Sequence, residues 1–128
     1  MNGVVASLQN RTEFLTGPGN MVRDFVHPRD IASLVSLCIA RGTLNEAYDV
    51  FSLKPASKSE ILDHFREHLG LRYRVEETFR AATATGAKDH YYSLSRKAEQ
   101  IGYRPRYSSL ETLVQETQSI LESTIIAR

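Results

Sequence analysis

Cysteine is almost absent from this chain: Cys38 is the only one. One thiol excludes an internal disulfide framework and suits a reducing compartment, so a cytoplasmic location is expected. An excess of either charge is also missing, with 16 Lys and Arg against 15 Asp and Glu giving a formal net charge of +1. That balance supplies no field for nucleic acid or an anionic membrane, and neither is expected as a partner. No apolar run reaches the length of a membrane span. The first residues lack a charged segment leading into an apolar core, so no secretory signal is expected. There is no internal repeat and no low-complexity tract. No nucleophile elbow supports Ser/His/Asp hydrolase chemistry. The tyrosines lack the basic interleaving that RNA stacking needs. What remains is an ordinary globular composition in 128 residues, which predicts one domain or part of one, spanning residues 1–128 and long enough to bury a core.

The chemically dense stretch is Val22 to Ile39, VRDFVHPRDIASLVSLCI. It reads as a strand, a corner and an amphipathic helix. Arg23, Asp24, His27 and Asp30 gather at the corner. Pro28 suits a first helical turn, and Asp30 favours the positive end of the helix dipole. Ile31, Leu34, Val35, Cys38 and Ile39 fall at i, i+3, i+4, i+7 and i+8, which predicts a buried stripe. Gly42 is the stop.

Before this stretch, Val4, Val5 and Leu8 mark one face of a short helix that looks like the tail of a longer one. Glu13 to Thr16 and Met21 to His27 flank Gly17-Pro18-Gly19-Asn20, and a hairpin is the plain reading. After it, Ala47 to Leu53 alternates as a strand. Ser57 to Glu60 is a capping box that opens a helix lined by Ile61, Leu62, Phe65 and Leu69 and ended by Gly70. Leu71 to Glu76 reads as a strand, Thr78 to Asp89 as a loop, and His90 to Ser93 as extended. A short helix from Ser95 to Ile101 stops at Gly102. A second capping box, Ser108 to Glu111, opens a last helix lined by Leu110, Leu113, Val114, Thr117 and Leu121.

The order of these pieces carries a resemblance. A G-x-G turn precedes R-D-F-V-H and an Asp-led helix; Y-D-V-F-S follows, then a capped helix ending in L-G, then S-R-K-A-E-Q-I-G-Y-R-P before S-S-L-E-T. From about Val4 to Leu121 this resembles the C-terminal part of the NAD-dependent epimerase/dehydratase family, the extended short-chain dehydrogenase/reductases. The resemblance implies an α/β fold of short strands and about four helices that grips a nucleotide-sugar. It also implies a Rossmann half elsewhere that holds NAD or NADP and a Tyr-x-x-x-Lys pair. This chain shows neither signature. Gly17 and Gly19 lie between strands rather than at a strand-to-helix turn, and no tyrosine has a lysine four residues on. No cofactor binding and no catalysis by this chain alone are therefore expected. Two readings stay open: the substrate-side part of an NAD(P)-dependent nucleotide-sugar enzyme, or a non-catalytic binding or assembly module derived from that family. With the Rossmann half missing, its uncovered apolar surface predicts self-association or poor solubility.

The resemblance implies that Arg23 reaches the diphosphate of a nucleotide-sugar, a task suited to a permanently charged planar fork of donors. On residue type alone, a surface arginine paired with Asp24 serves as well. Asp24, His27 and Asp30 read as a structural corner, with Asp24 placed to orient Arg23. Lys88 and Asp89 stand where the family often carries R-P-G-D or R-P-G-E, another substrate-binding segment. Here the residues are T-G-A-K-D, so the expected fork is gone; Lys88 offers a point charge, and a solvated loop explains both residues equally. Ser93 replaces a family aspartate at a helix entry, work that serine can do. His64-Phe65-Arg66-Glu67-His68 spells H-x-x-E-H, but a zinc centre needs a third protein ligand and a cleft, so no metal is expected. Cys38 reads as an inert core thiol.

Overall fold

The computed structural model describes residues 1–42, 45–78 and 89–126. In chain order the elements are α1 (Asn2–Asn10), β1 (Phe14–Thr16), β2 (Val22–Arg23), α2 (Pro28–Ala40), β3 (Ala56–Ser57), α3 (Lys58–Leu69), β4 (Tyr73–Val75), β5 (His90–Tyr91), a 3-10 turn (Lys97–Ile101) and α4 (Ser109–Ile126). The α/β class and the four helices match the sequence reading. No helix among the described residues is long and apolar enough to cross a membrane.

Local chemistry explains the best-defined helix. At the start of α3 the Ser57 hydroxyl accepts from the Glu60 N–H at 3.2 Å, and a Glu60 carboxylate oxygen accepts from the Ser57 N–H at 2.8 Å. The box satisfies two orphan helix donors at once. Those bonds from Ser57 hold the Glu60 carboxyl below the usual range. Gly70 ends α3 at φ 70°, a conformation that disfavours any side chain. The Ser108–Glu111 box opens α4 in the same way, with Ser108 N–H to Glu111 at 2.7 Å and Glu111 N–H to Ser108 at 3.3 Å.

Two apolar clusters form among the described residues. One joins Val4 of α1, Ala56, the α3 residues Ile61, Leu62 and Phe65, Leu71, and Leu113 of α4. The other joins Leu34 of α2 to Phe51, Ala98, Ile101 and Tyr103. In the second, the buried Tyr103 hydroxyl donates to the Phe51 carbonyl at 2.7 Å.

The structure corrects three expectations. First, β1 and β2 do not form a hairpin. β1 runs parallel to β4, with Phe14 opposite Tyr73 and Thr16 opposite Val75. Both edges of β2 are already taken, by antiparallel β3 and by parallel β5, so β1 must find its partner elsewhere. Second, Ala47 to Leu53 is not a strand. Its polar backbone groups bond irregularly: Ser52 N–H to the Asp24 carboxylate at 3.1 Å, and Leu53 N–H to the Tyr107 carbonyl at 2.9 Å. Third, the α2 stripe is not buried as a stripe. Leu34 is buried and Cys38 half-buried, but Ile31, Val35 and Ile39 are 44%, 51% and 73% exposed.

Candidate functional site

Arg23 ends β2, facing Ala56 across the antiparallel pair. Alternation along paired strands puts Met21, Arg23, Ala56 and Lys58 on one side. That side walls a cleft of about 310 Å³, whose other lining includes Val4, Phe14, Phe25 and Ile61. Among the described residues no carboxylate lines it. Among the same residues the Arg23 guanidinium has no hydrogen-bond or ion-pair partner. An exposed fork of donors therefore stands at the wall of an apolar cleft, free to take an external anion.

The corner residues do different work. One Asp24 oxygen accepts from the Ser52 N–H at 3.1 Å and the other from the Ser109 hydroxyl at 3.0 Å. Ser109 in turn accepts from the Phe25 N–H at 2.8 Å. Asp24 is thus tied to residues 52 and 109 and does not orient Arg23, contrary to the sequence reading. Asp30, 1% exposed, accepts from the Arg106 N–H at 3.1 Å and the Tyr107 N–H at 3.2 Å. His27 caps α2, its Nδ1 accepting from the Arg29 N–H at 3.1 Å. Its ring stacks on Tyr107 at 4.0 Å, and its Nε2 lies 3.7 Å from Glu116. These three side chains lace the β2–α2 corner to the segment leading into α4.

Asp89 joins the site through its backbone: its carbonyl accepts from the Val22 N–H at 2.7 Å, beside Arg23. Its side chain is exposed. Lys88, the other residue expected here, lies outside the described residues. Ser93 accepts from the Ser95 N–H at 3.0 Å and donates to Asp49. His64 and His68 place their rings 4.3 Å apart on α3, and the described residues contain no group of three or more His, Cys, Asp or Glu placed to hold a metal.

Sequence reasoning missed Lys58. It is the first residue of α3, reads as an ordinary helix-start lysine, and turns out to line the cleft with Arg23. Its ammonium donates to Thr16 Oγ1 at 3.4 Å and to the Gly17 carbonyl. Burial holds its pKa below the ordinary lysine value. The signal was the register: a residue two beyond Ala56 shares Arg23's side of the pair.

No family model matches the chain. Two curated relatives do. The UDP-glucose 4-epimerase of Streptococcus mutans is 28% identical over 106 residues, covering 80% of this chain and 31% of that protein. The putative UDP-glucose 4-epimerase of Methanocaldococcus jannaschii is 29% identical over 98 residues, covering 77% and 30%. The chain thus spans about a third of the length of the curated relatives it matches. Among solved structures, UDP-glucuronic acid 4-epimerase from Bacillus cereus in complex with NAD superposes with a TM-score of 0.69 at 16% identity. That match covers 91% of this chain and 36% of the other. In sequence and in fold, this chain resembles the C-terminal part of the NAD-dependent epimerase/dehydratase family, the extended short-chain dehydrogenase/reductases.

Proposed function

We propose that this chain is the substrate-side part of an NAD(P)-dependent nucleotide-sugar epimerase, dehydratase or reductase, and that it grips the nucleotide-sugar without itself carrying out hydride chemistry. The observation that carries this reading is Arg23: a guanidinium without a protein partner among the described residues, on the wall of an apolar cleft of about 310 Å³. In this reading the fork binds the diphosphate and the apolar walls take the nucleoside. Asp24, His27 and Asp30 fix the corner from which Arg23 projects. Asp89 steadies β2 through its backbone, and Lys88 completes the substrate-binding set. The relatives' names, all 4-epimerases of UDP-sugars, support the ligand class.

The residues here do not fit a dinucleotide. Gly17 and Gly19 lie in the link between β1 and β2, while α2 opens with Pro28 and α3 follows Ser57. A dinucleotide cradle needs glycine at a strand-to-helix turn so that pyrophosphate can approach the backbone. NAD or NADP, with the catalytic pair, belongs to a Rossmann half. The uncovered face of α2, with Ile31, Val35 and Ile39, is where that half docks.

The test is a titration of UDP-, GDP-, dTDP- and CDP-sugars into wild type and Arg23→Ala. Loss of a charged hydrogen bond to phosphate costs about 1.5–3 kcal/mol, roughly tenfold to a hundredfold in affinity. Equal affinity of the two proteins for every sugar nucleotide removes Arg23 from the grip.

A further inference from the structure

We propose that Lys58 is a second phosphate-gripping cation, acting beside Arg23 on the same nucleoside diphosphate. The inference rests on reading the cleft as a nucleotide grip, and it adds a residue to which no role has been given.

Register puts the two cations together. Arg23 faces Ala56 and Val22 faces Ser57; the Lys58 N–H continues the pairing by donating to the Met21 carbonyl at 2.9 Å. Lys58 is therefore the diagonal neighbour of Arg23. Diagonal neighbours of an antiparallel pair stand roughly 7–8 Å apart, within reach of two long side chains meeting at one ligand. Both side chains line the same cleft.

The bonds Lys58 makes leave it with capacity. An ammonium carries three donors. Two point to Thr16 Oγ1 and to the Gly17 carbonyl, both neutral oxygens. The carboxylate closest in sequence, Glu60, is already engaged by Ser57 and by Lys54 at 3.4 Å. Among the described residues Lys58 has no ion-pair partner. Its charge is partly desolvated and uncompensated, which an incoming anion relieves. Arg23, exposed at the mouth of the same cleft, likewise has no ion-pair partner among the described residues. Two unpaired cations on an apolar wall select a ligand with an apolar body and two negative charges close together, which describes a nucleoside diphosphate better than a monophosphate.

A more modest role is open to Lys58. It holds the Gly17–Asn20 link against α3, a task shared with the Ser59 N–H bond to Asn20 Oδ1 at 2.9 Å. The experiment separates the two. UDP, UMP and uridine are titrated calorimetrically into wild type, Lys58→Met, Lys58→Arg and Arg23→Met at low salt. A phosphate contact predicts that Lys58→Met weakens UDP about tenfold or more, UMP less, and uridine not at all, and that Lys58→Arg restores most of the loss. Equal weakening of all three ligands overturns the proposal in favour of the link-holding role. Unchanged UDP affinity in Lys58→Met, with a loss in Arg23→Met, removes Lys58 while leaving the grip standing. No UDP binding by wild type overturns both.

Discussion

α2 and α3 are near equals as sequences, 13 and 12 residues long, each with an apolar stripe at helical spacing. As structures they differ. α3 buries Ile61, Leu62 and Phe65 to 6%, 3% and 0% exposure, whereas α2 buries only Leu34 among its stripe residues and leaves Ile39 73% exposed. Their anchors differ as well. α3 is held along its length by apolar packing against α1, α4 and Leu71. α2 is held at its first turn by polar bonds, through Asp30 to residues 106 and 107 and through the His27 cap. Amphipathic spacing states what a helix can bury; the rest of the chain decides what it does bury. α3 is folded into its own domain, while α2 offers most of its apolar face outward.

The comparison can be broken most severely at Phe65. Phe65→Ala empties a fully buried site and is expected to cost about 3–5 kcal/mol in urea unfolding. A cost under about 1 kcal/mol means that the α3 cluster is not what holds the fold.

The polar anchor of α2 comes next. Asp30→Ala removes a buried carboxylate and strips the acceptor from two backbone N–H groups, with an expected cost of about 2–4 kcal/mol. Asp30→Asn keeps one acceptor oxygen and is expected to recover part of that. If both variants melt with wild type, α2 is anchored by the apolar packing of Leu34, Leu37 and Cys38, and the contrast with α3 disappears.

Much of this contrast's local detail is legible in the amino-acid sequence. The two capping boxes name their own termini because their chemistry is local: a hydroxyl and a carboxylate three residues apart satisfy each other wherever they occur. The α3 stripe is legible because its cover lies within the chain. Three features are not. The partner of β1 depends on which edges of β2 are free, and that is settled by residues near 56 and 90. Ala47 to Leu53 has strand composition, yet composition does not supply a neighbouring strand. The exposure of α2 depends on where the other elements fall, and none of them buries Ile31, Val35 or Ile39. In the cleft, Arg23 is marked by the motif around it, while Lys58 is hidden because its place on the wall comes from pairing register. The tie of Asp24 to Ser52 and Ser109 spans 28 and 85 residues, beyond any local pattern.

A smaller effect probes the cluster beneath α2. Tyr103→Phe removes the bond to the Phe51 carbonyl and is expected to cost about 1 kcal/mol at neutral pH. The sharper readout is alkaline. Burial first, and the nearby Asp30 second, push the Tyr103 phenol up to about 12. An unfolded tyrosine ionises near 10. Between these values the unfolded chain has released a proton that the folded chain keeps. Stability is therefore full below pH 10 and falls as pH rises towards 12. The drop attributable to this residue is about 2–3 kcal/mol. Tyr103→Phe should flatten it, leaving the lesser contributions of Tyr48 and Tyr73, whose ionisation is also raised. An unchanged alkaline slope in the variant rules out a phenol held neutral by its surroundings.

The smallest expected change in stability carries the most information about α2. Val35→Ser with Ile39→Ser replaces two half- to mostly exposed apolar side chains on one helix face, spaced four residues apart. Because neither is buried in this chain, the folded state should lose at most about 0.5 kcal/mol for each substitution. What should change is association. Wild type is expected to bind an apolar dye and to self-associate by light scattering, since contiguous exposed apolar surface seeks cover. The double variant should do neither, and should also fail to be retained by a dinucleotide-binding half supplied in trans. The same pair of substitutions on α3, at Leu62 and Phe65, should abolish folding outright. If the α2 variant unfolds as readily as the α3 one, the outward face is part of this chain's own core. If it folds normally but associates as wild type does, the docking surface lies elsewhere.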